Sequence, residues 1–425
     1  MYRVMTVDAA ARIMDGRTRQ GNLELVRDIC IDSRSAKPGD LFFALKGLRT
    51  DGHLFTKDAI GRGAVTAVVE KESGSMAEII VRDTLAALGE LARCYRGQFK
   101  APLIGITGTN GKTTVKNLTT AILAKRCRTT STRGNQNSLI GLPLTLFAMS
   151  ESTEFVVAEM GTSSPGEIGR LCAISQPQYG LVTNIGPGHL TGLGTCEQVE
   201  REKMTLIRAL PANGFGVVGE TIRGPENGVT IHRFSERMLS DVVLTEHGSA
   251  FTFEGSRFNT PLLGAGNVSN CLAALVLTSR LDIEAEYQQS ALQEARPEPG
   301  RMESLLNNGL LIINDTYNAN PVSMRMAIDF ASLISRRRVF VLGDMLELGN
   351  DTEKYHREIG DHARKHCDLL LTCGRVARHF GGRHFTDMMN LVDYLLERLQ
   401  GDELILVKAS RALKFEEIVS ELVRS

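Results

Sequence analysis

The chain has no excess of either charge: 49 lysines and arginines face 49 aspartates and glutamates over 425 residues. No whole-molecule field draws it to nucleic acid or to an anionic membrane, so any anion site has to be local. It also has no Cys-x-x-Cys. The eight cysteines are scattered, and the closest pair, Cys367 and Cys373, is separated by five residues, which is no metal-ligand spacing. No uncharged apolar run approaches the ~18–20 residues of a membrane-spanning helix. No secretory leader is visible at Met1-Tyr2-Arg3-Val4, so the expectation is a cytoplasmic protein with reduced thiols and no membrane insertion. Repeats and low-complexity stretches are missing as well.

What is present reads as a globular enzyme of three domains, with 42% hydrophobic and 23% charged residues. Residues 1–98 mix short strand-like runs, such as Leu41-Phe42-Phe43-Ala44-Leu45 and 65–69, with helical stretches. A polar stretch ending at Pro102 marks the first boundary, and residues 294–300, with two prolines and a glycine, mark the second. Between them, residues 99–298 contain apolar runs that stop at polar residues: Phe155-Val156-Val157-Ala158 before Glu159, and 180–185 before His189. Such runs alternating with helices predict a mostly parallel sheet covered on both faces. Residues 229–263 alternate like antiparallel strands. In 299–425 the pattern restarts, with 310–313 running into Asn314-Asp315, 339–342 into Gly343-Asp344, and 404–407 into Lys408. The predicted fold is α/β throughout: a small N-terminal domain, a central phosphate-loop domain and a C-terminal Rossmann-like domain.

The apolar run Leu103-Ile104-Gly105-Ile106 enters the turn Gly108-Thr109-Asn110-Gly111-Lys112-Thr113-Thr114, after which Val115, Leu118, Ala121 and Ile122 recur at helical spacing. Strand, glycine turn and helix N-terminus form an anion cradle of backbone N–H groups. Lys112 can reach β- and γ-phosphates, and the Thr113 hydroxyl can ligate magnesium. A strict Walker pattern needs glycine five residues before Gly111, where this chain has Ile106.

Residues 107–114 are similar to the variant phosphate loop of the Mur ligase superfamily, whose members add amino acids or peptides to growing chains. The resemblance extends over all three regions. It is carried by Gly134-Asn135-Gln136-Asn137, Glu159-Met160-Gly161, Pro165-Gly166-Glu167-Ile168, residues 314–324 beginning Asn-Asp-Thr-Tyr-Asn-Ala-Asn, and Gly343-Asp344-Met345-Leu346-Glu347-Leu348-Gly349. It implies an ATP-dependent ligase working through an acyl phosphate in peptidoglycan precursor synthesis. The implied substrates are UDP-N-acetylmuramoyl-tripeptide and D-alanyl-D-alanine, and the enzyme is expected to be a monomer. The alternative within the family is a different amine or another carboxylate carrier.

The same resemblance assigns residues. Lys112, Glu159, His189 and Lys203 carry catalysis, and two magnesium ions are held by Thr113, Glu159, His189 and Lys203, the last as a carbamate. Taken alone, Glu159 is an ordinary strand end, His189 a loop histidine and Lys203 a helix-surface lysine, followed by Met204 where the family pattern has glycine. Asn267 and Asn270 are placed near adenine, with a helix N-cap at Asn267 as the local reading. Arg301 is expected on the γ-phosphate when the C-terminal domain closes. Asp315, Tyr317 and Asn318 are expected on the nucleotide, although Asp-x-Tyr-Asn alone reads as turn chemistry. Lys408, Ser410 and Arg411 border the incoming peptide, or form a solvated basic tip. Ser33 and Arg34 contact the UDP diphosphate, and Asn135 and Asn137 border the muramoyl peptide.

Overall fold

The structure, a computed structural model, describes residues 1, 4–18, 23–47, 50–72, 77–224 and 228–424. Tyr2 and Arg3, part of the segment read for a leader, lie outside them. The strand Leu103–Thr107 runs through the interior of a six-stranded, wholly parallel sheet. Its neighbours on one side are Phe155–Glu159 and then Thr129–Ser131. On the other side follow Tyr179–Val182, Phe215–Gly219 and Thr230–Phe234.

Successive side chains of these strands go to opposite faces. Ile104, Ile106, Val157, Leu181 and Val217 pack with the helices Lys112–Ala124 and Gly264–Ser279. Leu103, Val156, Ala158, Val182 and Val218 pack on the other face with the helices Gly141–Phe147 and Glu167–Ser175. Burial on both faces explains why the strands read as unbroken apolar runs rather than alternating ones. The alternating segment forms the expected antiparallel sheet of Leu239–Thr245, Gly248–Phe253 and Ser256–Thr260.

The N-terminal sheet has five strands, parallel except for the edge strand Arg17–Thr18. Its helix Thr84–Arg96 is capped by the Asp83 carboxylate, which accepts from the N–H groups of Leu85 and Ala86 at 2.8 and 2.9 Å. Leu88, Leu91, Ala92 and Tyr95 of this helix share one core cluster with Leu142, Leu146 and Leu171 of the central domain. The C-terminal sheet runs Glu303–Asn307, Leu310–Asp315, Leu404–Lys408, Arg338–Gly343, Leu369–Cys373, Arg383–Phe385. Only its first pair is antiparallel, and apolar clusters lie on both faces.

Arg96 pins the first two domains together. It is 3% exposed, and its guanidinium donates to the carbonyls of Ser175, Phe99 and Ala101 at 3.2, 2.8 and 2.8 Å. Truncation leaves buried carbonyls without donors, at ~1–3 kcal/mol each. Arg96→Ala is therefore expected to lower stability by about 3 kcal/mol or more, read as a fall in the urea midpoint. An unchanged midpoint would mean that water replaces the guanidinium.

Candidate active site

The carboxyl ends of three adjacent parallel strands meet at one place, and the phosphate loop rises from the middle one. Two glycines permit its shape. At Gly108 (φ +148°) a Cβ would lie 1.8 Å from Thr183 Oγ1, and at Gly111 (φ +79°) it would lie 2.1 Å from Asn270 Oδ1. The next strand's exit clamps the loop. Thr109 N–H donates to the Asn184 carbonyl (2.9 Å), and Asn110 N–H donates to Asn184 Oδ1 (2.9 Å). Thr183 Oγ1 and Asn184 Nδ2 both donate to the Asn110 carbonyl, at 2.5 and 3.2 Å. Neither Thr183 nor Asn184 was foreseen as a site residue. The signal was available, because in a parallel sheet the neighbouring strand must end beside the loop.

Lys112 curls over the loop and donates to the carbonyls of Gly108 (2.9 Å) and Thr109 (3.1 Å). Burial lowers its pKa, opposed by the nearby Glu159. Thr113 Oγ1 accepts from Arg301 Nη2 at 3.1 Å, so the arginine already reaches the phosphate loop. Arg301 also lies over the Tyr317 ring, 3.7 Å from its centroid.

Glu159 ends its strand 2% exposed. Its Oε1 accepts from Asn137 Nδ2 at 2.7 Å, and its N–H donates to Thr132 Oγ1 at 2.9 Å. Glu159 Oε2 is buried without a partner. Lys203 is 1% exposed, and its Nζ is likewise buried without a partner. Burial, with Lys112 adding to it and Glu202 opposing, drives the Lys203 pKa well below that of an ordinary lysine. The helix-surface reading of Lys203 therefore does not hold. Met204 is accommodated in the hydrophobic core. Glu202 accepts from the N–H groups of Gly166 and Ile168, both at 2.8 Å, which ties the Pro165-Gly166-Glu167-Ile168 stretch to the lysine's helix.

His189 sits in the left-handed region (φ +56°). Its Nδ1 is 2.6 Å from Oε2 of Glu347 in the C-terminal domain, off the line that a hydrogen bond needs. This closeness holds the Glu347 carboxyl below its ordinary pKa. Among the described residues no three His, Cys, Asp or Glu side chains converge on one point.

The C-terminal domain supplies the facing wall of a cleft of about 940 Å3, measured with its open mouth and lined by Asn110, Asn270, Arg301, Asp315, Tyr317 and Lys408 among others. Asn320 caps the helix Pro321–Ser332 and exchanges two amide hydrogen bonds with Asn110, at 2.6 and 3.3 Å. Asn318 Oδ1 accepts from the Ala319 N–H at 2.8 Å. Lys408 is 1% exposed and donates to Asp315 Oδ2 (2.5 Å) and the Asn318 carbonyl (2.9 Å), so it is no solvated tip and lines the cleft. Ser410 is buried and accepts from the Leu346 N–H at 2.9 Å. Arg411 is exposed, 5.7 Å from the Tyr317 centroid.

The N-cap reading of Asn267 is corrected: the helix begins at Gly264, so Asn267 lies inside its first turn. Asn267 Nδ2 donates back to the Leu263 carbonyl at 3.0 Å, and Asn270 Nδ2 donates to Asn267 Oδ1 at 3.1 Å. Asn135 is exposed in the loop before Asn137. Ser33 is buried, whereas Arg34 is exposed and held by Asp32, whose pKa falls to about 2 through that pairing. Neither Ser33 nor Arg34 lines the cleft. Asp344 accepts the N–H groups of Arg375, Val376 and Ala377, and His356 Nε2 accepts that of Met345.

A phosphate loop on a parallel sheet, facing an arginine from a second α/β domain and two buried unpaired polar atoms, defines a nucleotide-using enzyme that works between domains. The chain belongs to the Mur ligase family. Three family models match it: the Mur ligase family catalytic domain at 26–96, the Mur ligase middle domain at 106–278 and the Mur ligase glutamate ligase domain at 300–411. The UDP-N-acetylmuramoyl-tripeptide–D-alanyl-D-alanine ligase of Bacillus subtilis is 34% identical, over 99% of this chain and 98% of its own. The crystal structure of MurF from Acinetobacter baumannii superposes with a TM-score of 0.93 at 28% identity, over the whole of both chains. That of MurF from Thermotoga maritima, in complex with ADP, gives 0.86 at 27%, over 94% of this chain and 97% of that one.

Gly108→Ala should abolish nucleotide binding while leaving thermal unfolding within a few degrees of wild type, because its Cβ strikes Thr183 at the loop and not in the core. Retained ADP affinity by calorimetry would remove the loop from the nucleotide site.

Proposed function

We propose that the chain uses ATP to join D-alanyl-D-alanine to UDP-N-acetylmuramoyl-tripeptide, in the cytoplasm. The observation that carries this reading is the end-to-end match to the Bacillus subtilis ligase, whose name supplies both substrates. Domain boundaries near residues 98 and 298 fit the spacing of the three family segments.

The tripeptide's terminal carboxylate attacks the γ-phosphorus, ADP leaves, and an acyl phosphate forms. The dipeptide amine then attacks the acyl carbon, loses a proton, and phosphate departs. Lys112 leaves its loop carbonyls to bind the β- and γ-phosphates. Arg301 moves from the Thr113 hydroxyl to the γ-phosphate, and Asn267 and Asn270 face adenine. Asp315, Tyr317 and Asn318 hold the nucleotide from the C-terminal side, with Lys408 fixing Asp315. Arg411 borders the dipeptide and Ser410 shapes its loop. Ser33 and Arg34 take the diphosphate of UDP, while Asn135 and Asn137 line the muramoyl peptide. Magnesium, when bound, offsets the repulsion between carboxylate and triphosphate. The unpaired Glu159 Oε2 fits a hard cation, with Thr113 and His189 as further donors.

Lys203 joins this set as a carbamate. Its neutral amine attacks carbon dioxide: the N–C bond forms as one C=O π bond opens, the nitrogen gives up a proton, and the two carbamate oxygens carry the negative charge that would bind metal.

Phosphate release measured across UDP-muramoyl-peptides and dipeptides tests the reaction: turnover should require ATP, the tripeptide and D-alanyl-D-alanine together. Release with another carrier or amine alone would assign a different Mur-type reaction. Lys203→Ala should cut kcat by about a hundredfold or more, with partial rescue by acetate. Rescue by alkylamines instead would restore the ammonium reading.

A further inference from the structure

The motif 343–349 is held by three anchors. Asp344 ties it to the turn at Arg375–Ala377 through three N–H groups, His356 accepts from Met345, and Ser410 Oγ accepts from Leu346. Met345 and Leu348 are buried in the C-terminal core. Between them Glu347 is turned out, at φ +63°, with a half-exposed side chain. A β-carbon residue held in the left-handed region needs surroundings that impose it, and such positions gather at functional sites. The partner of Glu347, His189, is also left-handed and belongs to the other domain. Their side chains approach to 2.6 Å, and Thr191 N–H faces the Glu347 carbonyl at 3.4 Å.

Histidines that ligate metals almost always give their other ring N–H to a carboxylate or carbonyl, which fixes tautomer and ring orientation. His189 Nδ1 has no hydrogen-bond partner, yet it stands 2.6 Å from a carboxylate oxygen of Glu347, within the reach of such a contact. We propose that Glu347 is a positioning residue: through the His189–Glu347 contact the C-terminal domain orients the His189 ring, so the magnesium site is completed only when the two domains are in contact. The inference rests on His189 being a magnesium donor, as proposed above.

The test uses the full chain with ADP and Mn2+ as the metal probe, followed by electron paramagnetic resonance, for Glu347→Gln and His189→Ala. Glu347→Gln should weaken Mn2+ binding by about tenfold to a hundredfold and raise the magnesium needed for half-maximal turnover. The KM for the UDP substrate and the unfolding temperature should stay at wild-type values. Weak Mn2+ binding in His189→Ala with normal binding in Glu347→Gln would overturn the positioning role and leave His189 as a donor. Normal binding in both variants would remove His189 from the metal site, and the inference with it. A fall in unfolding temperature matching the loss of Mn2+ affinity would make Glu347 merely structural.

Discussion

Two polar atoms buried without partners, Glu159 Oε2 and Lys203 Nζ, set the terms for the rest of the molecule. A desolvated carboxylate oxygen and a desolvated amine each cost several kcal/mol unless something satisfies them, and native interiors leave few such groups. The chain tolerates both because the surroundings are otherwise closed. Asn137 and Thr132 fix the glutamate, and Glu202 is consumed by two backbone N–H groups, so it gives Lys203 no salt bridge. The arrangement withholds internal partners from both atoms. The parallel sheet then makes the site compact, since the strands bearing the phosphate loop, Glu159 and Asn184 are neighbours and end on one edge.

Much of this was legible in the sequence because it depends on local chemistry. Strand, glycine turn and helix are consecutive, so the loop 108–114 could be placed from residues 103–122 alone. The two-faced burial of the parallel strands is written in runs such as Phe155-Val156-Val157-Ala158. Asn320 before Pro321 announces a helix start, and the helix starts there.

What escaped reading depends on contacts distant in sequence. Asn110 and Asn320 are 210 residues apart, and nothing near either residue signals their pairing. Asn267 looks like a cap because glycines stand at two of the three positions before it, Gly264 and Gly266, where a helix is disfavoured; packing of Leu272 and Leu275 into the core overrides that preference. Lys408 could be solvated or buried, and only the register of its strand beside Asp315 decides between them.

The two junctions between domains are built differently, and that difference bears on how the enzyme works. The N-terminal domain shares a continuous apolar core with the central one and is pinned by a buried guanidinium. Separating them would expose that core and strand Arg96 among unpaired carbonyls. The C-terminal domain meets the central one at the site through polar contacts: Asn110 with Asn320, Thr113 with Arg301, His189 with Glu347. Among the described residues Leu263 is the one central side chain in the C-terminal core cluster. Water can replace polar contacts of this kind at small net cost, whereas it cannot replace apolar burial. The junction of the C-terminal domain at the site is accordingly the less costly of the two to separate. Two of these polar contacts fall on the phosphate-loop residues Asn110 and Thr113 and the third on His189, so the position of the C-terminal domain and the geometry of the site are linked through the same side chains.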